Sequence, residues 1–140
     1  MKLSSTKIFA WMLRIIATVI MLQTLFFKFT AAPESVYIFS TLGIEPWGRI
    51  GTGIMELMAS ILILIPRTTV IGALLAMGIM GGAIISHLFI LGISVQQDGG
   101  QLFLYASLVL FCASVLFWLY RYQLGRFLPR RFIPFRISNA

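Results

Sequence analysis

Four apolar stretches, each near the roughly 20 residues that an α-helix needs to cross a bilayer, constrain this chain more than any other feature. They cover residues 8–28, 48–65, 69–93 and 101–120. Composition supports the same reading. Charged residues make up 11% of the chain, against roughly 25% in an ordinary soluble domain. A soluble fold of 140 residues could not cover its surface with so few charges, so the outer surface is expected to face lipid. The expected fold is an all-α membrane protein: one domain, an antiparallel four-transmembrane-helix bundle.

The first stretch follows Lys2 and Lys7 and has the look of a signal peptide. It exceeds the usual apolar region of about 7–15 residues, Arg14 interrupts it, and Pro33 makes a poor cleavage site after Thr30-Ala31-Ala32. We read it as a retained helix. Between the first two crossings, Pro33-Glu34 marks a helix start, with Pro at the first helical position and an acid in the first turn. Gly43 can end that helix, and Tyr37, Phe39 and Trp47 suit a membrane interface. A short interfacial helix is therefore expected there. The second connection, Pro66-Arg67-Thr68, is so tight that the helices it joins must be antiparallel neighbours. The third runs from Ser94 to Gly100 and holds Asp98 and a Gly99-Gly100 turn.

The net charge of +7 does not point to nucleic acid, because the cations are spread between and beyond the apolar stretches instead of clustering on one face. Lys2, Lys7, Arg67 and the tail residues Arg121, Arg126, Arg130, Arg131 and Arg136 fall on one side of a four-pass arrangement. The positive-inside rule makes that side, with both termini, cytoplasmic. The tail over 121–140 serves as a topology anchor, and its interleaved Phe127, Leu128, Phe132, Ile133 and Phe135 would suit anionic headgroups. Cys112 is the single cysteine, so neither an intrachain disulfide nor a CxxC redox pair exists, and it reads as a core residue. Gly78, Gly82 and Ser86 form a small-residue ridge of the kind that lets helices approach closely in lipid. Packing within the chain is the first expectation for it and homo-oligomerisation the second.

Ionisable groups at membrane depth cost roughly 2.5–3.5 kcal/mol each on insertion scales and need partners. Arg14, Lys28, Glu56 and His87 qualify. Counting about 1.5 Å per residue, Glu56 and His87 share a depth in the outer half of the bilayer, on helices that the tight second connection makes neighbours. A Glu56–His87 hydrogen bond is expected, holding the carboxylate ionised and raising the histidine's proton affinity. Glu56 has a structural alternative, pairing with Lys28 or Arg49. Arg14 and Lys28 fall within about 40° of each other on the first helix at about 100° per residue, but lie about 21 Å apart along it. Lys28 can therefore join the Glu56 layer and Arg14 cannot. Gln23 points away from that face. Thr52, Glu56 and Ser60 make a polar stripe directed into the bundle, with Arg49 one turn above Thr52. The expected proton-exchanging residues are Glu56 and His87, and the expected ligand-binding residues are Lys28, Arg14, Thr52 and Arg49. No metal site is expected, since one histidine and one carboxylate fall short of the usual ligand set. Haem held by two axial histidines is excluded, because the chain has one.

Arg14, Lys28-Phe29, Leu42-Gly43 and the element Gly53-Ile54-Met55-Glu56-Leu57, followed by an aliphatic run to Arg67, resemble the DoxX family of small four-helix membrane proteins. The resemblance extends from Arg14 to His87 and more loosely over the fourth helix. Leu25 and Pro66 depart from it, standing where many members have glycine. The resemblance implies an antiparallel bundle with inward polar residues, in a bacterial cytoplasmic (inner) membrane. Some relatives are associated with quinone-linked sulfur oxidation, others with complexes handling thiol or oxidative stress. Three functions follow as expectations. The first is a redox-associated subunit that carries no cofactor of its own, holds a quinone in the outer half and takes electrons from a membrane partner. The second is a non-enzymatic accessory or assembly protein. The third is a small transport module using Glu56 and Lys28 as coupling charges.

Overall fold

The computed structural model describes residues 4–128. Helix α1 covers Ser5–Phe29, α2 Pro33–Thr41, α3 Trp47–Leu64, α4 Thr69–Ser86 and α5 Gln101–Tyr120. A π-helical turn, His87–Leu91, prolongs α4, and a 3₁₀ turn, Arg121–Gln123, leads from α5 into the short α6, Leu124–Phe127. Among the described residues there is no strand, and four helical spans are long and apolar enough to cross a membrane. The fold is the expected all-α bundle with the short helix between its first two crossings.

Local chemistry accounts for several of the boundaries. Ser4 caps α1, its hydroxyl accepting from the Lys7 amide. Pro33 occupies the first turn of α2, where its missing N–H is no loss. After α2, Gly43 takes φ +76°, a backbone conformation that glycine adopts without steric cost. Helix α5 ends at Tyr120, as expected, and the 3₁₀ turn and α6 carry the helical path on to Phe127, so Arg121 and Arg126 are helical. Arg130, Arg131 and Arg136, on which the headgroup reading of the tail also rests, lie outside the described residues.

The four spans pack in a ring: α1 against α3, α3 against α4, α4 against α5, and α5 back on α1. The ring is tight because its core is built largely from small residues, with Ala10, Ala17, Ala59, Ala73, Ala76, Ala106 and Ala113 buried among Leu13, Met21, Ile63, Val109, Cys112 and Leu116. Cys112 is thus the core residue expected. On α1 the buried positions 13, 14, 17, 18, 21 and 25 keep the helical period, while Met12, Ile15, Val19 and Phe26 are exposed on the face left to lipid. Gly72 marks a close approach of α4 to α3. A β-carbon there would lie 2.6 Å from the Ile63 backbone nitrogen and 2.9 Å from the Ala59 carbonyl oxygen.

The Gly78–Gly82–Ser86 ridge corrects an expectation. Gly78 and Gly82 are exposed, and a β-carbon added at either meets nothing within 4 Å. The ridge does not pack within this chain but faces outward. The intrachain close approach belongs instead to Gly72, two turns earlier.

Two side chains tie the ends of the bundle. At the face where α1 begins and α5 ends, buried Gln123 donates from Nε2 to the Pro66 carbonyl at 2.6 Å and accepts from the Val70 amide at 3.2 Å. It thereby joins the end of α5 to the α3–α4 connection. At the opposite face, the Asp98 carboxylate accepts from the amides of Val95 (2.9 Å), Gly100 (2.8 Å) and Leu102 (3.0 Å). It caps α5 and favours the positive end of the helix dipole. Burial pushes the Asp98 carboxyl up, but the amides of Leu102, Gly100 and Val95, together with the Ser94 hydroxyl, more than offset this, so it sits below its ordinary value. A depressed carboxyl contributes stability that is present above the unfolded value, about 3.9, and is lost as pH falls through the lower folded value. Asp98→Ala is expected to cost about 1 kcal/mol at neutral pH. Its deficit in thermal midpoint relative to wild type should shrink as the pH is lowered from 6 towards 3. A deficit independent of pH would contradict the capping role.

Candidate functional site

The polar layer forms where the C-terminal end of α1 meets the middle of α3. Gly53 and Glu56, three residues apart, are both buried, whereas Ile54, Met55 and Leu57 between and beside them are exposed. This alternation explains the five-residue element: its glycine and its acid face α1, and the rest faces outward. A β-carbon on Gly53 would press on the Phe29 ring at 3.1 Å. The absence of one lets α1 come close enough for the lysine before Phe29 to reach the carboxylate.

Lys28 Nζ lies 2.7 Å from Glu56 Oε2, with side-chain exposures of 15% and 4%. Thr24, one turn below Lys28 on α1, completes the group. Its hydroxyl lies 3.1 Å from Glu56 Oε2, 2.8 Å from the Met21 carbonyl and 3.3 Å from Lys28 Nζ, from which it accepts. Every hydrogen bond to the Glu56 carboxylate falls on Oε2. Among the described residues Oε1 has no partner, and of the three N–H groups of the ammonium two are engaged. The pair therefore leaves one donor and one acceptor side by side, in surroundings that strengthen electrostatic interactions.

Arg49 sits one turn above Thr52, as expected, and is buried. Its Nε donates to both Glu45 oxygens at 2.8 and 3.1 Å, and its Nη1 donates to the Lys28 carbonyl. A guanidinium at the carbonyl end of α1 suits the helix dipole and holds the backbone that carries Lys28. Thr52 and Ser60 turn inward along the expected stripe, but both hydroxyls bond back to their own helix, Thr52 to the Gly48 carbonyl at 2.9 Å and Ser60 to the Glu56 carbonyl at 2.8 Å. Gln23 is exposed, pointing away as expected.

The expected Glu56–His87 hydrogen bond is not formed. His87 is buried, with its ring edge-on to Phe103 at 5.8 Å, and its Nδ1 lies 2.9 Å from the Gly92 carbonyl. A carbonyl only accepts, so Nδ1 carries the proton and, in the neutral ring, Nε2 is left as acceptor. Two physical causes redirect the pair. The regular α-helix expected to residue 93 gives way to a π turn at His87 and ends at Gly92 with φ +81°, and the Gly92 carbonyl becomes the imidazole's partner. The long Lys28 stem also brings Nζ to 2.7 Å from the carboxylate, into the position expected for the imidazole.

Arg14 is 1% exposed, deep on the opposite half of α1. Its guanidinium carbon lies 4.6 Å from the Trp11 ring centre and 4.7 Å from that of Tyr120 on α5. Both distances are within cation–π range. Nε and Nη1 have no hydrogen-bond partner among the described residues, and neither does the hydroxyl of Thr18 one turn above. Arg14 and Glu56 thus belong to separate groups, as the spacing along α1 predicts.

Thr24, Gln123 and Asp98 are polar residues whose roles sequence reasoning missed. Thr24 has a usable signal, since it stands four residues, and so one helical turn, before Lys28. Gln123 has none, because its partners lie 53 and 57 residues away.

A family model described as the DoxX-like family matches residues 12–117. No curated protein and no solved structure matches the chain.

Proposed function

The chain belongs to the DoxX-like family, and from that membership and the geometry at Glu56 we propose that it is a redox-associated membrane subunit holding a quinone-like headgroup at Lys28 and Glu56. The observation that carries this reading is the half-satisfied ion pair: Glu56 Oε1, without a partner among the described residues, beside an ammonium with an N–H to spare. The residues fit a headgroup with carbonyl oxygens. Lys28 would donate its remaining N–H to one of them, and Glu56 would hold or release a proton at Oε1. Thr24 keeps Oε2 turned towards Lys28. Approach from lipid is supported by the partial exposure of Lys28 and the exposed Phe29 beside it.

A bound quinone supplies two-electron, two-proton chemistry, and the electrons come from a redox partner subunit. This chain handles protons and position only. His87 takes no part, being turned to Gly92 and Phe103. The orientation that goes with this reading has both termini in the cytoplasm of a bacterium, supported by Lys7, Arg67, Arg121 and Arg126 on the terminal face.

The test is titration of the purified protein with a short-chain benzoquinone. Wild type should bind. Glu56→Gln and Lys28→Met should each weaken binding at least about tenfold, the scale of one charge-assisted hydrogen bond. No binding by wild type, or unchanged binding by a folded Glu56→Gln protein, overturns the reading.

One observation favours a second reading, the accessory or assembly protein. The outward ridge of Gly78 and Gly82 leaves open space on α4, the kind of surface that a partner helix can approach closely. In that case the Lys28–Glu56 pair sets the register between α1 and α3.

A further inference from the structure

Among the described residues Arg14 has no counter-anion, and none of the chain's acidic side chains is placed to supply one. The acids are Glu34, Glu45, Glu56 and Asp98. Glu34 lies at the start of α2, beyond the far end of α1. Glu45 is held by Arg49, Glu56 by Lys28 and Thr24, and Asp98 by three backbone amides. Arg14 lies fourteen residues before Lys28 on the same helix, about 21 Å of helical rise, on the half of the bundle where α1 begins and α5 ends. An arginine stays charged at any pH a protein meets, and cation–π contacts with two rings do not supply acceptors for Nε and Nη1. The demand is for an acceptor as well as a charge: Nε, Nη1 and the Thr18 hydroxyl are all buried and have no partner among the described residues.

We propose that Arg14 and Thr18 form a seat for a phosphate-type anion, supplied by an anionic phospholipid headgroup that enters between α1 and α5. Guanidinium and phosphate match in charge and hydrogen-bond geometry. The surroundings suit a lipid more than a soluble ion. Trp11 and Tyr120 flank the guanidinium at the seam between the helices, and Arg121 stacks on Trp118 at 3.7 Å close by in sequence on α5. Lys7 stands one turn before Trp11 and is exposed. Cations interleaved with Trp and Tyr near a helix end are the composition of a headgroup pocket between membrane helices. This seat is separate from the Lys28–Glu56 site and does not depend on what that site binds.

The experiment is delipidation into neutral detergent, followed by titration with phosphatidylglycerol, phosphatidylcholine or inorganic phosphate. Thermal midpoint and native mass spectrometry of retained lipid are the readouts. Phosphatidylglycerol should raise the wild-type midpoint by several degrees and be retained at one per chain, with phosphatidylcholine at least about tenfold less effective. Arg14→Gln should abolish the difference between the two lipids, and Arg14→Lys should keep part of it. If Arg14→Gln does not fold, Thr18→Val serves, with retention of phosphatidylglycerol falling several-fold. Equal effects of the two lipids on wild type, or an unchanged preference in Arg14→Gln or Thr18→Val, overturn the seat. A response to inorganic phosphate without one to phosphatidylglycerol overturns lipid as its source.

Discussion

Lys28→Met should lower the stability of the bundle by about 3 kcal/mol, and adding Glu56→Met should restore most of the loss. Removing one member of a buried ion pair leaves the other charge uncompensated, at a cost of roughly 3–5 kcal/mol, whereas replacing both by apolar side chains of similar volume is often neutral. The lower end applies here because the Lys28 side chain is 15% exposed, so the pair is not fully withdrawn from its surroundings. The converse single variant, Glu56→Gln, should cost less. Its amide oxygen can still accept from Lys28, and Lys28, the more exposed partner, can extend its ammonium outward. Thermal or denaturant unfolding of wild type, Lys28→Met, Glu56→Met and the double variant in detergent closes a double-mutant cycle. A Lys28→Met protein as stable as wild type would show that the pair is not a buried interaction at all. A double variant no better than Lys28→Met would show that the two residues are not coupled.

The second large effect is expected at Gly72. A β-carbon there would press on main-chain atoms of α3, the Ile63 nitrogen and the Ala59 carbonyl oxygen, which cannot swing aside as a side chain can. Overpacking of this kind typically costs about 1–3 kcal/mol, more than the roughly 1 kcal/mol that alanine gains over glycine in a helix interior. Gly72→Ala should therefore destabilise, and Gly72→Leu should prevent α3 and α4 from closing. Gly78→Ala, on the same helix but with open space around it, should be neutral or stabilising by up to about 1 kcal/mol in the isolated chain. Equal behaviour of Gly72→Ala and Gly78→Ala would mean that α4 does not approach α3 closely at Gly72. Loss of a co-purifying membrane protein, or of self-association, in Gly78→Ala would support the accessory reading.

Part of the site is legible in the amino-acid sequence. Periodicity puts Arg14 and Lys28 on one inward face of α1, and Thr52, Glu56 and Ser60 on one inward face of α3. Lys28 is among the partners that spacing offers to Glu56. Preferring His87 on the ground of equal depth fails for two reasons. It assumes a regular helix through residue 93, and a π turn is a local change of hydrogen-bonding pattern with no compositional signature. It also compares positions along helix axes and neglects the reach of a lysine stem, which brings an ammonium from the end of α1 down to a carboxylate in the middle of α3.

What the sequence determined by itself was the membrane class, the four crossings, the interfacial helix and the family. These depend on the sum of many apolar residues and on turn-forming residues at the breaks, which are local quantities that a linear reading captures. Which polar group meets which, and which glycine touches a neighbour, was decided only by the tertiary structure. Gly72 and Gly78 look alike in the sequence, yet one is pressed against α3 and the other faces outward. The difference is the rotation of α4 in the ring, set by how all four helices bury their small residues together. The same rotations aim Lys28 at Glu56, His87 at Gly92, and Arg14 into an aromatic enclosure where no described side chain answers its charge.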